Sequence, residues 1–259
     1  MKLTFLGTGT SFGVPQVGCH CAVCRSTDPR DKRARVGALV ETELGTRLLI
    51  DTPPELRMQL ITAGVDRVDA VLFTHDHADH SHGIDDVRAI SRRRMGPLDF
   101  YGPADSLERI AQRFGYIFDE RVRPLPGTSK PEGRLKPLRA GESVTIGDAD
   151  VSAIAVPHGP TTVFAYRIGA LGYITDAGAI PPDALDAFRG VSVLVINALF
   201  RTEHPTHLSL PEAIRCAQSV GAERTYLTHL THDNFHADLE AELPRGISPA
   251  FDGLTVRID

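Results

Sequence analysis

Apolar residues along this chain fall into short runs that stop at aspartate, histidine, asparagine, threonine or glycine, the pattern of brief buried strands. Strands are expected at Leu3–Leu6, Arg47–Asp51, Ala70–Thr74, Leu98–Tyr101, Val144–Ile146, Val151–Val156, Val163–Ile168, Gly172–Thr175, Val191–Asn197, Thr225–Thr228 and Leu254–Ile258. Helical periodicity appears in Pro54–Ala63, Ile84–Arg94, Ser106–Phe114, Pro182–Phe188 and Leu210–Val220, and proline stands near the start of the first, fourth and fifth. Hairpin-like pairs of strands alternate with strand–helix units, which excludes an all-β chain and a plain doubly wound sheet. No internal repeat or low-complexity tract is present. The stretch from Arg121 to Glu142, rich in proline, glycine and basic residues, is expected to be an exposed crossover rather than a substrate lid.

With 259 residues, 42% of them hydrophobic, the chain can bury one sizeable core or two small ones, and one domain spanning residues 1–259 is expected. A formal charge of −5 argues against a coat for nucleic acid or a membrane surface, so an anionic substrate would have to be held by something local, such as metal. No run approaches the ~18 apolar residues of a membrane span. The start, MKLTFLGTG, has no long apolar segment or small-residue cleavage site, so a cytoplasmic protein is expected. Three of the four cysteines sit together in GCHCAVC and Cys216 stands alone, unlike the dispersed even pattern of a disulfide scaffold. Reduced thiols are expected.

The chemistry concentrates in LFTHDHADHSHG, Leu72–Gly83, which places four histidines at the end of an apolar run. If the backbone stays extended past Thr74, the spacing of two between His75 and His77 puts both imidazoles on one side, facing a single cation. Asp79 and His80 follow just before the helix expected near Ile84, where a turn can aim them at a neighbouring position. A merely solvated loop has no reason to interleave these residue types at the mouth of a strand. Further donors stand at other strand ends: His158 closes VSAIAVPHG, Asp176 closes LGYITDAG and His229 closes RTYLTHL. Each alone could be a hydrogen-bonded loop residue; together they can complete two coordination spheres.

Through THDHADH, VPHG, TDAG and THL, in that order over nearly the whole chain, the sequence resembles the metallo-β-lactamase-like hydrolases. The resemblance implies an α/β (α+β) fold, a four-layer αββα sandwich of two mixed sheets with flanking helices, and a two-metal site at one edge of the sheets. It further implies that His75, His77 and His158 hold one metal, that Asp79, His80 and His229 hold the other, and that Asp176 bridges them. Asp51, which ends RLLIDTPPE, matches a further family position; it either orients a ligand histidine or caps the following helix.

Fold and metals leave the substrate open among thioesters, lactones, β-lactams and phosphodiesters. His207, in NALFRTEHPTHLSLPEAI, occupies a position similar to that of the histidine with which nuclease and phosphodiesterase members protonate a leaving oxygen, while His204 reads as a surface residue. A positioned acid accelerates departure of a high-pKa alkoxide by ~10² to 10⁴. Cys19, Cys21 and Cys24 supply three thiolates for a tetrahedral zinc; His232, three positions beyond His229, is the best fourth ligand, with His20, His236 and Cys216 weaker options. GCxCxxC together with THLTH resembles the PhnP-type cyclic phosphodiesterases of the phosphonate pathway. That resemblance implies hydrolysis of small cyclic phosphates, either 5-phosphoribosyl 1,2-cyclic phosphate or 2',3'-cyclic nucleotides. It also implies two divalent ions at the active site, Mn2+ or Zn2+, and one structural Zn2+. The expected partner is a small phosphate ester, with no membrane, no long nucleic acid, and a homodimer plausible from the family. A thioester or lactone hydrolase and a non-catalytic zinc-stabilised binding protein are the alternatives. GTGTSFG lacks dinucleotide-fingerprint spacing and reads as a strand-to-loop turn, and Arg92–Arg94 read as the last turn of a helix.

Overall fold

A computed structural model describes residues 1–259. The first six strands, β1 (Lys2–Gly7), β2 (Gly37–Glu41), β3 (Arg47–Ile50), β4 (Ala70–Leu72), β5 (Leu98–Pro103) and β6 (Gly133–Leu138), build one sheet. The next seven, β7 (Ser143–Ile146), β8 (Ala149–His158), β9 (Thr161–Ile168), β10 (Leu171–Ile174), β11 (Val193–Asn197), β12 (Arg224–Thr228) and β13 (Ile247–Pro249), build the second. A last strand, β14 (Thr255–Arg257), returns to the first sheet beside β1, so both sheets have seven strands. In each sheet one half is antiparallel and the other parallel, the change falling at β3 and at β10. Both are mixed sheets, as expected.

Alternation along the strands explains the layering. Leu48 and Ile50 of β3 face the core between the sheets, with Phe5, Leu72, Val151, Tyr166, Tyr173 and Val195, whereas Leu49 faces outward. Outward positions are apolar too, because helices cover both outer faces. On the first sheet these are α2 (Leu56–Thr62), α4 (Arg88–Arg94) and α5 (Ala104–Arg113), whose Leu56, Leu60, Ile90, Leu107 and Ile110 pack with Val71 and Phe100. On the second, α7 (Pro182–Ala187), α8 (Leu210–Val220) and α9 (His236–Glu242) pack Ala184, Ala213, Ala217 and Leu239 with Ile174, Leu194 and Ile196. Three one-turn helices, α1 (Ala22–Arg25), α3 (Ala78–Ser81) and α6 (Gly115–Phe118), lie in connections. The result is the four-layer αββα sandwich. No helix is long and apolar enough to cross a membrane.

Helix α8 has the bounds its sequence predicts, with Pro211 in the first turn, Glu212 reaching back to the Ser209 N–H at 2.8 Å, and Gly221 closing the end at φ 72°. Three strands depart from expectation, one of them the short β13, which no expected strand covers. The Arg121–Glu142 stretch is exposed over Arg121–Thr128, but its second part forms β6, paired parallel with β5 at the sheet edge. Its lysine, arginine and proline suit an edge strand, and for that reason it reads as a loop. Strand β2, between β1 and β3, is hidden by its glycine and alanine.

Candidate metal centre

Most candidate donors follow the C-terminal ends of parallel strands, while His158 ends the antiparallel β8, and local backbone geometry places several of them. Asp51 after β3, Asp176 after β10 and His229 after β12 adopt φ of 61°, 58° and 57°. A left-handed conformation is uncommon for residues with a Cβ, although aspartate and histidine tolerate it better than most, and such strain collects at functional sites. In each case the chain turns sharply where it leaves the sheet. Strand β4 ends at Leu72, before the expected Thr74, yet the rings of His75 and His77 still lie 4.4 Å apart. Asp79 and His80 belong to the one-turn helix α3 rather than to a loop before Ile84, and His77 stands at its N-terminus.

All seven expected donors converge. Ligand atoms of His75, His77 and His158 lie within 4.8 Å of one another, as do those of Asp79, His80 and His229, and those of His75, His80 and Asp176. Asp176 is central: its Oδ1 is 3.3 Å from His80 Nε2 and 3.5 Å from His229 Nε2, and its Oδ2 is 4.0 Å from His75 Nε2. His207 joins them, with Nε2 3.2 Å from Asp176 Oδ2. His75 Nε2, His80 Nε2 and both nitrogens of His229 are buried without a hydrogen-bond partner. Burying such groups unpaired costs about 1–3 kcal/mol each, so a cation between them is what the cluster fits.

Electrostatics agree with that fit. Burial, with His80 beside it, holds His75 well below the ordinary imidazole value, and burial also lowers His158 and brings His229 down to about 4. Their lone pairs are therefore free at neutral pH. Burial opposes charge on His80 as well, but Asp176, Asp79 and Asp51 raise it well above its ordinary value. Burial likewise opposes charge on Asp176, yet His229 and His80 keep it well below the usual carboxylate range. These carboxylates demand positive charge, which the His80 proton or a metal ion can supply.

Supporting contacts orient the donors. Asp51, fully buried, accepts His80 Nδ1–H at 2.7 Å, Thr74 N–H at 2.8 Å and the Thr74 hydroxyl at 2.8 Å, so it orients a histidine and does not cap α2. Burial also pushes the Asp51 carboxyl up, while His80 and the Thr74 hydrogen bonds pull it back down. Asp76 turns away from the histidines toward α5, where Arg109 Nε reaches it at 2.9 Å and Arg113 Nη2 at 2.7 Å. This clamp escapes sequence reasoning; its only signal is that Arg109 and Arg113 are one helical turn apart. The Gly7–Gly13 segment is a turn, as expected, with Gly9 N–H donating to Ala34 C=O at 2.8 Å and Thr8 C=O accepting Leu230 N–H at 2.9 Å beside His229.

A second cluster lies nearby. Cys19, Cys21 and Cys24 place Sγ 3.3, 3.4 and 3.4 Å from His232 Nδ1, a four-donor group suited to zinc; His20, His236 and Cys216 stay outside it. Cys21, whose Sγ accepts Cys24 N–H, is held down at about 6, while burial pushes Cys24 up to about 11. Cys21 thus ionises before Cys24. Arg33, wholly buried, donates to the carbonyls of Thr231 at 2.8 Å and Asn234 at 3.1 Å, bracing the segment on both sides of His232. His229 and His232 share that segment, so both clusters rest on one strut.

This fold and this arrangement of histidines and aspartates define a class, and the chain belongs to it: residues 46–230 match the beta-lactamase superfamily domain. Over its whole length it is 39% identical to an octanoyltransferase of Porphyromonas gingivalis, of which it covers 52%, so the chain spans about half the length of that protein. It is 30% identical to a ribonuclease Z of Methanopyrus kandleri, covering all of this chain and 98% of the relative. Among solved structures it is similar to a diphosphatase of the PhnP family, with a TM-score of 0.91 and 35% identity over 100% of this chain and 98% of that one.

Proposed function

We propose that this chain is a metal-dependent phosphoric diester hydrolase that opens small cyclic phosphates, 5-phosphoribosyl 1,2-cyclic phosphate or 2',3'-cyclic nucleotides. The observation that carries the proposal is His207, whose Nε2 lies 3.2 Å from Asp176 Oδ2 at the centre of the donor cluster, where a leaving oxygen can be protonated. His75, His77 and His158 would hold one divalent ion, Asp79, His80 and His229 a second, and Asp176 would be shared. Ions bound there, Mn2+ or Zn2+, would supply Lewis acidity toward the phosphate and bring the pKa of a water toward neutrality. Attack of water on phosphorus breaks one ring P–O bond, and the departing ribose oxygen takes the Nε2 proton of His207, leaving a phosphate monoester. The three thiols and His232 would hold a structural Zn2+, for which thiolate selects. Similarity to the PhnP-family diphosphatase and to ribonuclease Z supports phosphate-ester chemistry.

The octanoyltransferase relative favours a second reading, hydrolysis of an acyl ester or thioester on the same scaffold. Bis(4-nitrophenyl) phosphate and an acyl thioester, each assayed with manganese, zinc and cobalt, separate the two. Turnover of the thioester with none of the phosphodiester would overturn the proposal.

A further inference from the structure

Thr206 touches three histidines of the site and its surroundings without a ligand-type side chain of its own. Its methyl and carbonyl are packed between two glycines that follow candidate ligands: a Cβ on Gly159 would stand 2.6 Å from Thr206 Cγ2, and one on Gly178 3.0 Å from Thr206 O. The adjoining Leu208 N–H donates to Ala177 C=O at 2.7 Å. Thr206 is therefore fixed against both the His158 and the Asp176 turns. From there its carbonyl accepts His158 Nδ1–H at 2.9 Å, and its hydroxyl lies 2.8 Å from His207 Nδ1 and 3.2 Å from His204 Nδ1.

The directions of these hydrogen bonds follow from one another. His204 Nδ1 is 3.4 Å from the Thr206 N–H, which can only donate, so that nitrogen is an acceptor. The Thr206 hydroxyl can then turn its proton toward His204 and present a lone pair to His207. His207 fills it with Nδ1–H, which leaves Nε2 as the nitrogen facing Asp176. We propose that Thr206 is a positioning residue whose hydroxyl, backed by His204, holds the His207 ring with Nδ1 always protonated, so that Nε2 is the nitrogen that takes up the second proton of the imidazolium and releases it to the leaving oxygen. This inference rests on the phosphodiesterase reading for its catalytic consequence, but not for its structural content.

The test uses the zinc-loaded 259-residue chain with Thr206→Val, which keeps the carbonyl and shape but lacks the hydroxyl, and Thr206→Ser, which retains it. Long-range proton–nitrogen NMR of the labelled histidines is expected to show the Nδ1–H tautomer of His207 in the parent, a mixture in Thr206→Val and recovery in Thr206→Ser. A series of phosphodiesters with increasingly poor leaving groups should slow about tenfold at the poor end in Thr206→Val, change little at the activated end, and recover in Thr206→Ser. An unaltered tautomer in Thr206→Val, or a serine variant as impaired as the valine one, overturns the proposal. If Thr206→Val fails to fold, Thr206→Ala takes its place with the same expectations. If the parent cleaves no phosphodiester, the functional reading fails and the tautomer measurement still decides the role of Thr206.

Discussion

Replacing Asp51 with asparagine isolates the electrostatic support of one candidate ligand from every other change. The side chain is wholly buried and accepts three hydrogen bonds, from Thr74 N–H, the Thr74 hydroxyl and His80 Nδ1–H. Asparagine has nearly the same shape and tolerates φ of 61°, so neither a cavity nor added backbone strain confuses the outcome. What changes is the acceptor count: the new NH2 group must face either Thr74 or His80. Losing a hydrogen bond to a charged group costs about 1.5–3 kcal/mol of stability. If the NH2 faces His80, it favours the tautomer with the proton on Nε2, the nitrogen 3.3 Å from Asp176 Oδ1 and nominated as a ligand. Loss of such an orienting partner weakens metal binding about 10- to 100-fold. The assay is zinc titration in competition with a chromophoric chelator, alongside denaturant unfolding of the metal-free protein. Zinc affinity within about twofold of the parent, with an unchanged unfolding midpoint, would refute the role assigned to Asp51.

The remaining expectations concern single groups. His207→Ala should leave metal content intact and slow esters with poor leaving groups by ~10² to 10⁴, with activated aryl esters affected far less; equal slowing across the series argues against proton donation. Cys21→Ser should lower both stability and bound zinc in elemental analysis without directly removing the candidate catalytic ligands, and loss of activity with fold and zinc intact would contradict a structural role. Asp252, held between Thr8 Oγ1 and Ala34 N–H, is raised by burial to about 6. A carboxyl raised in the folded state stabilises it fully below the unfolded value near 4, and that contribution is lost as pH rises through about 6. Compared with Asp252→Asn, the parent should therefore lose on the order of 2 kcal/mol between pH 4 and pH 7, allowing for partial exposure, and a flat difference in unfolding free energy would count against it.

The site was more legible in the sequence than the fold around it, for a physical reason. A buried strand that ends in histidine or aspartate is chemically unusual, so His158, Asp176 and His229 stood out before anything placed them together. What the sequence carries poorly is direction. The left-handed turns at Asp51, Asp176 and His229 depend on tertiary context, and the two readings of Asp51 separated only when its distance to His80 was known. Partners supplied by ordinary residues were equally hidden: Thr206, Arg33 and the Arg109–Arg113 pair have compositions expected of any loop or surface helix. Edge strand β6 escaped because the charges that suit an edge strand also mark a loop. His232 lies beside the three cysteines, although His229 leaves the strand with φ of 57°, so simple alternation along an extended segment does not explain that placement.

The division of donors between the two sheets has a consequence for how the chain could be cut. Asp51, His75, His77, Asp79 and His80 follow strands of the first sheet, and His158, Asp176, His207 and His229 follow strands of the second. The exposed turn at Arg139–Glu142, between β6 and β7, separates these groups along the backbone. A protein nicked there would consist of two pieces, each with half a cage, and cations would act as rivets across their shared face. The pieces also share the core between the sheets and the β14–β1 pair, so their association should tighten as divalent ion is added and weaken on chelation, turning the centre into a measurable glue between halves.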